Sequence, residues 1–432
     1  MPYTAFALAN GLEVVVHEDH RVPMAAVVVL YHVGSGREEP GRTGLAHLFE
    51  HLMFEGSAQV PQGAFDVWLE QAGGDNNGST GQDYTLYEDV VPSNALELAL
   101  FLEADRLGTL LETLDQSKLD VQRDVVKNER RERLDNAPYG LAPLLLGQSL
   151  WPAGHPYHWP TVGSMADLSG ASLDDVKAFF RRWYTPANAT LVVAGDVDAD
   201  SVRALVEKHF AAIPGGPRPP PFSAAPAALE GETRLLHEDS VQLPRLYAAW
   251  MTPAFYAPGD AALDVLSVLL AGGKSSRLYR RLVYDLQIAQ DVSAFQSSSK
   301  LGSQFQIQVT ARAGHGLEEI LTIVDEELER LRREPPTARE VERAVNLYEA
   351  GFLDGLETDL GRAKGLATND FYTADPGYFG QTLAAHRAVA AANLQEAARR
   401  YLGAGRVLVS VVPRGETQLG LPGSSVGVEE HP

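Results

Sequence analysis

Val15-Val16-His17-Glu18-Asp19, with Pro23 and an apolar run behind it, returns 220 residues later as Leu235-Leu236-His237-Glu238-Asp239, followed by Pro244 and the apolar run Leu246 to Trp250. A constant offset of 220 to 221 positions is what a duplicated domain leaves in a sequence. Between the copies the composition changes abruptly at Pro214-Gly215-Gly216-Pro217-Arg218-Pro219-Pro220-Pro221. Such a run fits neither a helix interior nor a central strand, so it reads as a semi-rigid connector. The expected organisation is a first domain over 1–213, a Pro-rich linker over 214–227 and a homologous second domain over 228–432.

Each copy opens with strands, continues through helices and closes with a strand. Thr190 to Ala194 and Val407 to Val412 are short β-branched runs near glycines, which suits buried strands. Leu263 to Leu270, Gly316 to Arg333 and Thr337 to Leu356 carry apolar residues at three- and four-residue spacing and are predicted helices. The fold class is therefore α+β: two duplicated α/β sandwich domains, each a mainly antiparallel sheet with helices on one face. The tail from Gly415 onward, rich in Gly, Pro and Ser, is expected to fray.

Composition removes several function classes. A chain of 432 residues exceeds one ordinary core, and 45% apolar with 22% charged residues is a globular composition. A formal charge of −21 argues against nucleic acid or an anionic membrane surface as partner, since both call for a basic footprint. The apolar run Met24 to Tyr31 is too short to span a bilayer. Met1 to Leu12 lacks a basic start and an apolar signal core, so a soluble protein is expected, its compartment unassigned. No Gly-rich phosphate loop or nucleophile elbow occurs, which turns the reading away from kinases, nucleotide hydrolases and serine esterases. There is no cysteine, so any transition-metal site must be built from His, Asp or Glu.

His47-Leu48-Phe49-Glu50-His51 meets that condition. Gly44 to Phe54 has no proline and shares an apolar face among Leu45, Leu48, Phe49 and Leu52, so it reads as a helix. On a helix His47 and His51 lie at i and i+4, one turn apart on one face, with Glu50 at its edge. The order His-x-x-Glu-His is the inverted zinc-hydrolase signature. A pair of hydrogen-bonded structural histidines is the plainer alternative. Catalytic zinc normally takes three protein ligands and a water, which leaves one carboxylate to find. The helical stretch Lys118 to Leu134 offers Glu129, 78 positions beyond His51, and Glu132. Both stand in the charged run Glu129-Arg130-Arg131-Glu132-Arg133, where surface ion pairs would explain them equally well, and spacing alone does not choose between them. His155 and His158, in a Pro- and Gly-rich loop, and the repeat-related His17 and His237 read as structural.

The first motif together with Asp124-Val125-Val126-Lys127-Asn128-Glu129 resembles the pitrilysin-type zinc peptidases, a family that includes the mitochondrial processing peptidase and bacterial homologues. Further matching stretches are Gly73-Gly74 through Asn77 to Thr80, Asp83 and Tyr87; His155-Pro156-Tyr157 with Pro160 and Gly163; and Tyr184-Thr185-Pro186-Ala187-Asn188. The resemblance implies the metallohydrolase fold shared by LuxS and the processing peptidase. It implies one zinc ion per chain held by His47, His51 and Glu129, and it favours Glu129 over Glu132. It implies that Glu50 is the general base and that the product is a cleaved peptide bond. Residues Gly73 to Tyr87, Gly- and Asn-rich and then alternating, read as an edge strand open to an extended substrate or as an ordinary hairpin, and the resemblance assigns Asn77, Gly78 and Thr80 to binding of an extended peptide.

The second copy has no metal motif: 220 positions beyond His47, Glu50 and His51 stand Ser267, Leu270 and Ala271. Gly272-Gly273-Lys274-Ser275-Ser276-Arg277-Leu278 resembles the family's inactive half, after which active members carry an Arg and a Tyr. An ungapped alignment places Val283 and Gln290 there, with Arg280, Arg281 and Tyr284 as substitutes should the register shift. The resemblance then implies the metal-bearing subunit of a heterodimer with a metal-free homologue that supplies the pair, the two enclosing a chamber that admits short or unfolded peptides. A homodimer is the alternative. The rival functions are a non-catalytic assembly subunit and a zinc hydrolase of non-peptide amides.

Overall fold

The computed structural model describes residues 1–216 and 218–428; Pro217 of the connector and the last four residues of the tail lie outside them. The chain forms two compact units. One comprises Met1–Glu129, Trp159–Phe222 and Leu353–Gly380, the other Arg130–His158, Ser223–Phe352 and Gln381–Pro432.

The first unit holds a six-stranded sheet in the order β1-β2-β6-β3-β5-β4, built from β1 (Thr4–Ala7), β2 (Glu13–Glu18), β3 (Met24–Tyr31), β4 (Asp75–Thr80), β5 (Thr85–Pro92) and β6 (Ala189–Gly195). All pairings are antiparallel except that of β2 with β6. The second unit repeats the plan as β12-β7-β11-β8-β10-β9, from β7 (Glu232–Asp239), β8 (Arg245–Thr252), β9 (Ala289–Ser297), β10 (Ser303–Ala311), β11 (Arg406–Pro413) and β12 (Ser425–Val426). Here β7 runs parallel to both β11 and β12. The tail is thus paired at β12 before its last residues, where fraying alone was expected, because Ser425 and Val426 align beside Leu235 and Leu236.

The central strands read as unbroken apolar runs because both their faces are buried. On β3, Ala25, Val27, Val29 and Tyr31 enter the main core, which also holds Leu48, Phe49 and Leu52 of α1 (Leu45–Leu52) and Leu119 and Val126 of α2 (Gln116–Arg130). Side chains alternate along a strand, so Ala26, Val28 and Leu30 face the other way, and they too are buried. Two helices cover these second faces. α3 (Ala142–Leu150) lies with the second sheet, against β8 and β11, and α4 (Asp359–Thr373) lies with the first, against β3 and β6. Position 142 plus the repeat offset of 220 falls inside α4, so the two are the same element of the duplicated plan. The expected helical layer occupies one face of each sheet, and one helix from the opposite half of the sequence occupies the other. The Pro-rich connector separates the strands of the two sheets but not the two units.

Candidate metal centre

Helix α1 begins at a tight crossing of two backbones. Gly44 (φ 88°) and Gly163 (φ 76°) approach so closely that a Cβ on Gly163 would stand 2.5 Å from Gly44 Cα. Only glycine satisfies both the left-handed backbone and the contact. Two carboxylates take the free N–H groups at this end. Glu38 accepts from Gly44 N (2.9 Å) and Ala46 N (2.8 Å), and Asp167 accepts from Thr43 N (2.9 Å) and the Thr43 hydroxyl (2.6 Å). Anions at a helix N-terminus are favoured by the aligned peptide dipoles. Burial nonetheless pushes the Glu38 carboxyl up to about 8, against the pull of its two N–H bonds and with added repulsion from Asp167. The opposite face of α1 is anchored by Phe49, whose ring stacks on Phe179 (centroids 5.7 Å, interplanar 16°) and tilts against Tyr184 (5.1 Å). Tyr87 of β5 donates its hydroxyl to Phe49 O at 3.3 Å.

So fixed, α1 turns His47 and His51 toward α2, with ring centroids 4.9 Å apart. Helix α2 carries a stripe of Leu119, Gln122, Val126 and Glu129 at three- and four-residue spacing, and the last of these meets the histidines. Glu129 Oε2 lies 3.1 Å from His51 Nε2 and 3.7 Å from His47 Nε2. The potential ligand atoms of the three residues all lie within 4.8 Å of one another. Tetrahedral zinc with bonds of about 2.0–2.1 Å separates its ligand atoms by roughly 3.3–3.5 Å. Two imidazole nitrogens and one carboxylate oxygen bracketing that separation fit zinc in donor type, number and spacing. Among the described residues this is the one such cluster. Glu132 stands exposed in a π-helical turn, Arg131–Asp135, that follows α2.

A cavity of about 650 Å³ opens beside the cluster, lined by Glu50 and His51. Edge strand β4 forms part of its wall through Asn76, Asn77 and Gly78, and among the described residues β4 pairs on one side only, with β5. Strand and helix touch: a Cβ on Gly78 would meet Glu50 Cγ at 3.0 Å. Asn77 and Gly78 therefore come to the cavity with Glu50, whereas Thr80 lies beyond the lining, its hydroxyl accepting from that of Thr85 (3.4 Å). Four further carboxylates line the same cavity, Glu55, Asp66, Glu70 and Asp75, with Gln62 and Gln122. Sequence reasoning passed over these. The one local sign was Gln122, a polar residue in the apolar stripe of α2.

Three of the histidines read as structural have structural partners. His155 stacks on Trp151 (4.5 Å, 16°), His158 Nδ1 lies 2.7 Å from Trp151 O, and His17 Nδ1 lies 2.8 Å from Pro2 O. His237 lies within β7. In the second unit, Ser267 binds its own helix at Asp264 O (2.7 Å). Arg281 is engaged by Glu326 and by Glu327 (3.1 Å), Arg280 by Asp285 (3.6 Å), and Tyr284 is 73% exposed. Val283 is half-buried and Gln290 is exposed on β9. Among the described residues no helix is long and apolar enough to cross a membrane.

Comparison with known proteins agrees with this architecture. Residues 13–146 match the model of the insulinase family, peptidase family M16, and residues 170–348 match that of the peptidase M16 inactive domain. The zinc protease PqqE of Helicobacter pylori is 32% identical over 360 residues, covering 82% of this chain and 80% of that protein. The mitochondrial-processing peptidase subunit beta of Lentinula edodes is 26% identical over 389 residues, covering 84% and 80%. The crystal structure of a protease from Helicobacter pylori superimposes with a TM-score of 0.88 at 28% identity, covering 95% of this chain and all of that one. The duplicated sheets, the inverted motif on α1 and these matches place the chain in peptidase family M16, the insulinase family of zinc proteases.

Proposed function

We propose that the protein is a zinc-dependent endopeptidase of short or unfolded peptides, acting as the metal-bearing subunit of a heterodimer. The observation that carries this reading is the convergence of His47, His51 and Glu129, with His51 and Glu50 lining one cavity. Those three side chains hold the metal. Zinc bound there supplies Lewis-acid polarisation of the scissile carbonyl and a lowered pKa for water. Glu50 accepts the proton of the attacking water and returns it to the leaving amine. Strand β4, unpaired on its outer side, receives an extended peptide by backbone hydrogen bonds, with Asn77 and Gly78 beside the reacting bond and Thr80 farther along. A chain without regular structure is the natural partner for such an edge, which supports flexible peptides as the substrate class.

The test is metal content together with hydrolysis of a quenched peptide. The wild-type chain, with its partner present, should contain one zinc per chain. Glu50→Gln should keep that zinc and lose about 10²–10⁴-fold in kcat. A metal-free, inert wild type would instead support the rival reading of a non-catalytic assembly subunit, to which the inactive-domain match over 170–348 gives some weight.

A further inference from the structure

Glu55 follows α1 in a turn held by Phe54 N to His51 O and Glu55 N to Leu52 O, both 3.1 Å. The turn is tied from outside by the Thr113 hydroxyl, which donates to Gly56 O at 3.0 Å. Its carboxylate is buried, 8% exposed, yet among the described residues it meets no cation. Both oxygens are taken by neutral amides: Gln122 Nε2 donates to Oε1 at 2.5 Å, and Gln62 Nε2 donates to Oε2. Burying a carboxylate is costly unless its lone pairs are satisfied, so these two bonds are what make the placement tolerable.

Gln122 is the feature that gives this arrangement a purpose. It interrupts the buried stripe between Leu119 and Val126, both fully buried, and it lies seven residues before Glu129 on the same face. Seven residues are two helical turns, roughly 10 Å along the axis. Apolar contacts are non-directional, so the packing of Leu119 and Val126 defines the axial position of α2 less sharply than a directional bond does. A hydrogen bond from a half-buried amide to a buried carboxylate is directional, and polar pairs are best attested as devices that fix register.

Resting on the metal reading above, we propose that Glu55 is a positioning residue of the metal centre. Its bridge to Gln122 sets the axial position of α2 and hence where the Glu129 carboxylate stands against His47 and His51. Glu55 joins the stretch after the two histidines to the helix that bears the third ligand, and it touches none of the ligands itself.

The experiment is zinc affinity, measured by competition with a chromophoric chelator on the full chain without peptide. The melting temperature of the metal-free protein is followed alongside. Gln122→Met, close in shape but apolar, should weaken zinc binding about 10–100-fold, the range for partners that orient metal ligands. Glu55→Gln, a milder change should Gln122→Met fail to fold, should weaken it as well. The exchange Glu55→Gln with Gln122→Glu rebuilds the amide–carboxylate bond in reverse and should bring affinity back toward the wild-type value. Wild-type affinity in folded Gln122→Met overturns the proposal, and so does an exchange variant that binds no better than the single ones. A purely structural role predicts lowered melting with unchanged zinc affinity. If the wild type itself binds no zinc, the metal reading fails and the inference goes with it, whereas tight wild-type binding with indifferent variants removes the inference alone.

Discussion

Glu38 is a carboxyl whose environment argues with itself, and the pH dependence of stability should show it. Burial raises it to about 8 from an ordinary value of 4.5, so the folded protein holds this proton more tightly than the unfolded chain. The stability it contributes is then fully present below about 4.5, falls as pH rises and is gone above about 8. In melting curves taken in excess chelator, the stability of wild type relative to Glu38→Gln should be greatest at or below about pH 4.5, fall steadily as pH rises and level off above about 8; a relative stability that rises with pH would mean that the two N–H bonds dominate and that Glu38 is an ordinary anionic cap. At this scale the sequence was legible where function uses local spacing. His47, Glu50 and His51 share one helix, so their juxtaposition follows from 3.6 residues per turn. Glu129 and Glu132 differ by less than a turn, and only the docking of α2 puts one on the histidines and the other in solvent. Glu55 and Gln122 are 67 positions apart, and no local pattern announces a bond across that distance.

Strand β4 and helix α1 meet at Gly78, and there the packing of elements bears on the chemistry. A side chain at 78 would press on Glu50, since even a bare Cβ comes within 3.0 Å of Glu50 Cγ. Gly78→Val should therefore leave the β4–β5 pairing and the zinc content intact while shifting the proposed base. Misplacement of a reacting group by about 1 Å costs on the order of 100-fold. The expected result is a fall of that size in kcat, read by quenched-peptide hydrolysis beside metal analysis; undiminished turnover would mean that Glu50 is not the base or that the strand yields freely. The edge strand was legible only in outline: Gly73 to Tyr87 is Gly- and Asn-rich before it alternates, and the all-polar stretch Asp75 to Thr80 alternates in burial rather than in residue type. The covering of the second faces was not legible. The apolar runs of β3 and β6 announce burial on both sides, but periodicity cannot say which helix supplies the cover, and α4 comes from the other end of the chain.

That exchange makes the halves of the sequence interdependent at the scale of the molecule. A fragment of residues 1–213 lacks α4 and uncovers the face of Ala26, Val28, Leu30, Val192 and Ala194, an apolar surface of the kind that drives aggregation. Expressed alone it should be insoluble, and co-expression with 228–432, which contains α4, should recover it; a soluble, cooperatively melting fragment would show that the first unit does not need the helix. The same scale holds the question of partners. Where the family resemblance leads one to look for an Arg and a Tyr, this chain has a half-buried Val283 and an exposed Gln290. The nearest substitutes are committed or displayed elsewhere: Arg281 is held by Glu326 and Glu327, and Tyr284 points to solvent. On the proposed reading, a chain with a metal cluster but without that pair takes it from a metal-free homologue. Affinity purification of the full chain should bring down such a homologue, and peptide hydrolysis should rise steeply on mixing and saturate at one partner per chain. Equal rates for the purified single chain and the mixture would mean that this chain completes its own site, and the heterodimer would have to be abandoned for a self-sufficient enzyme.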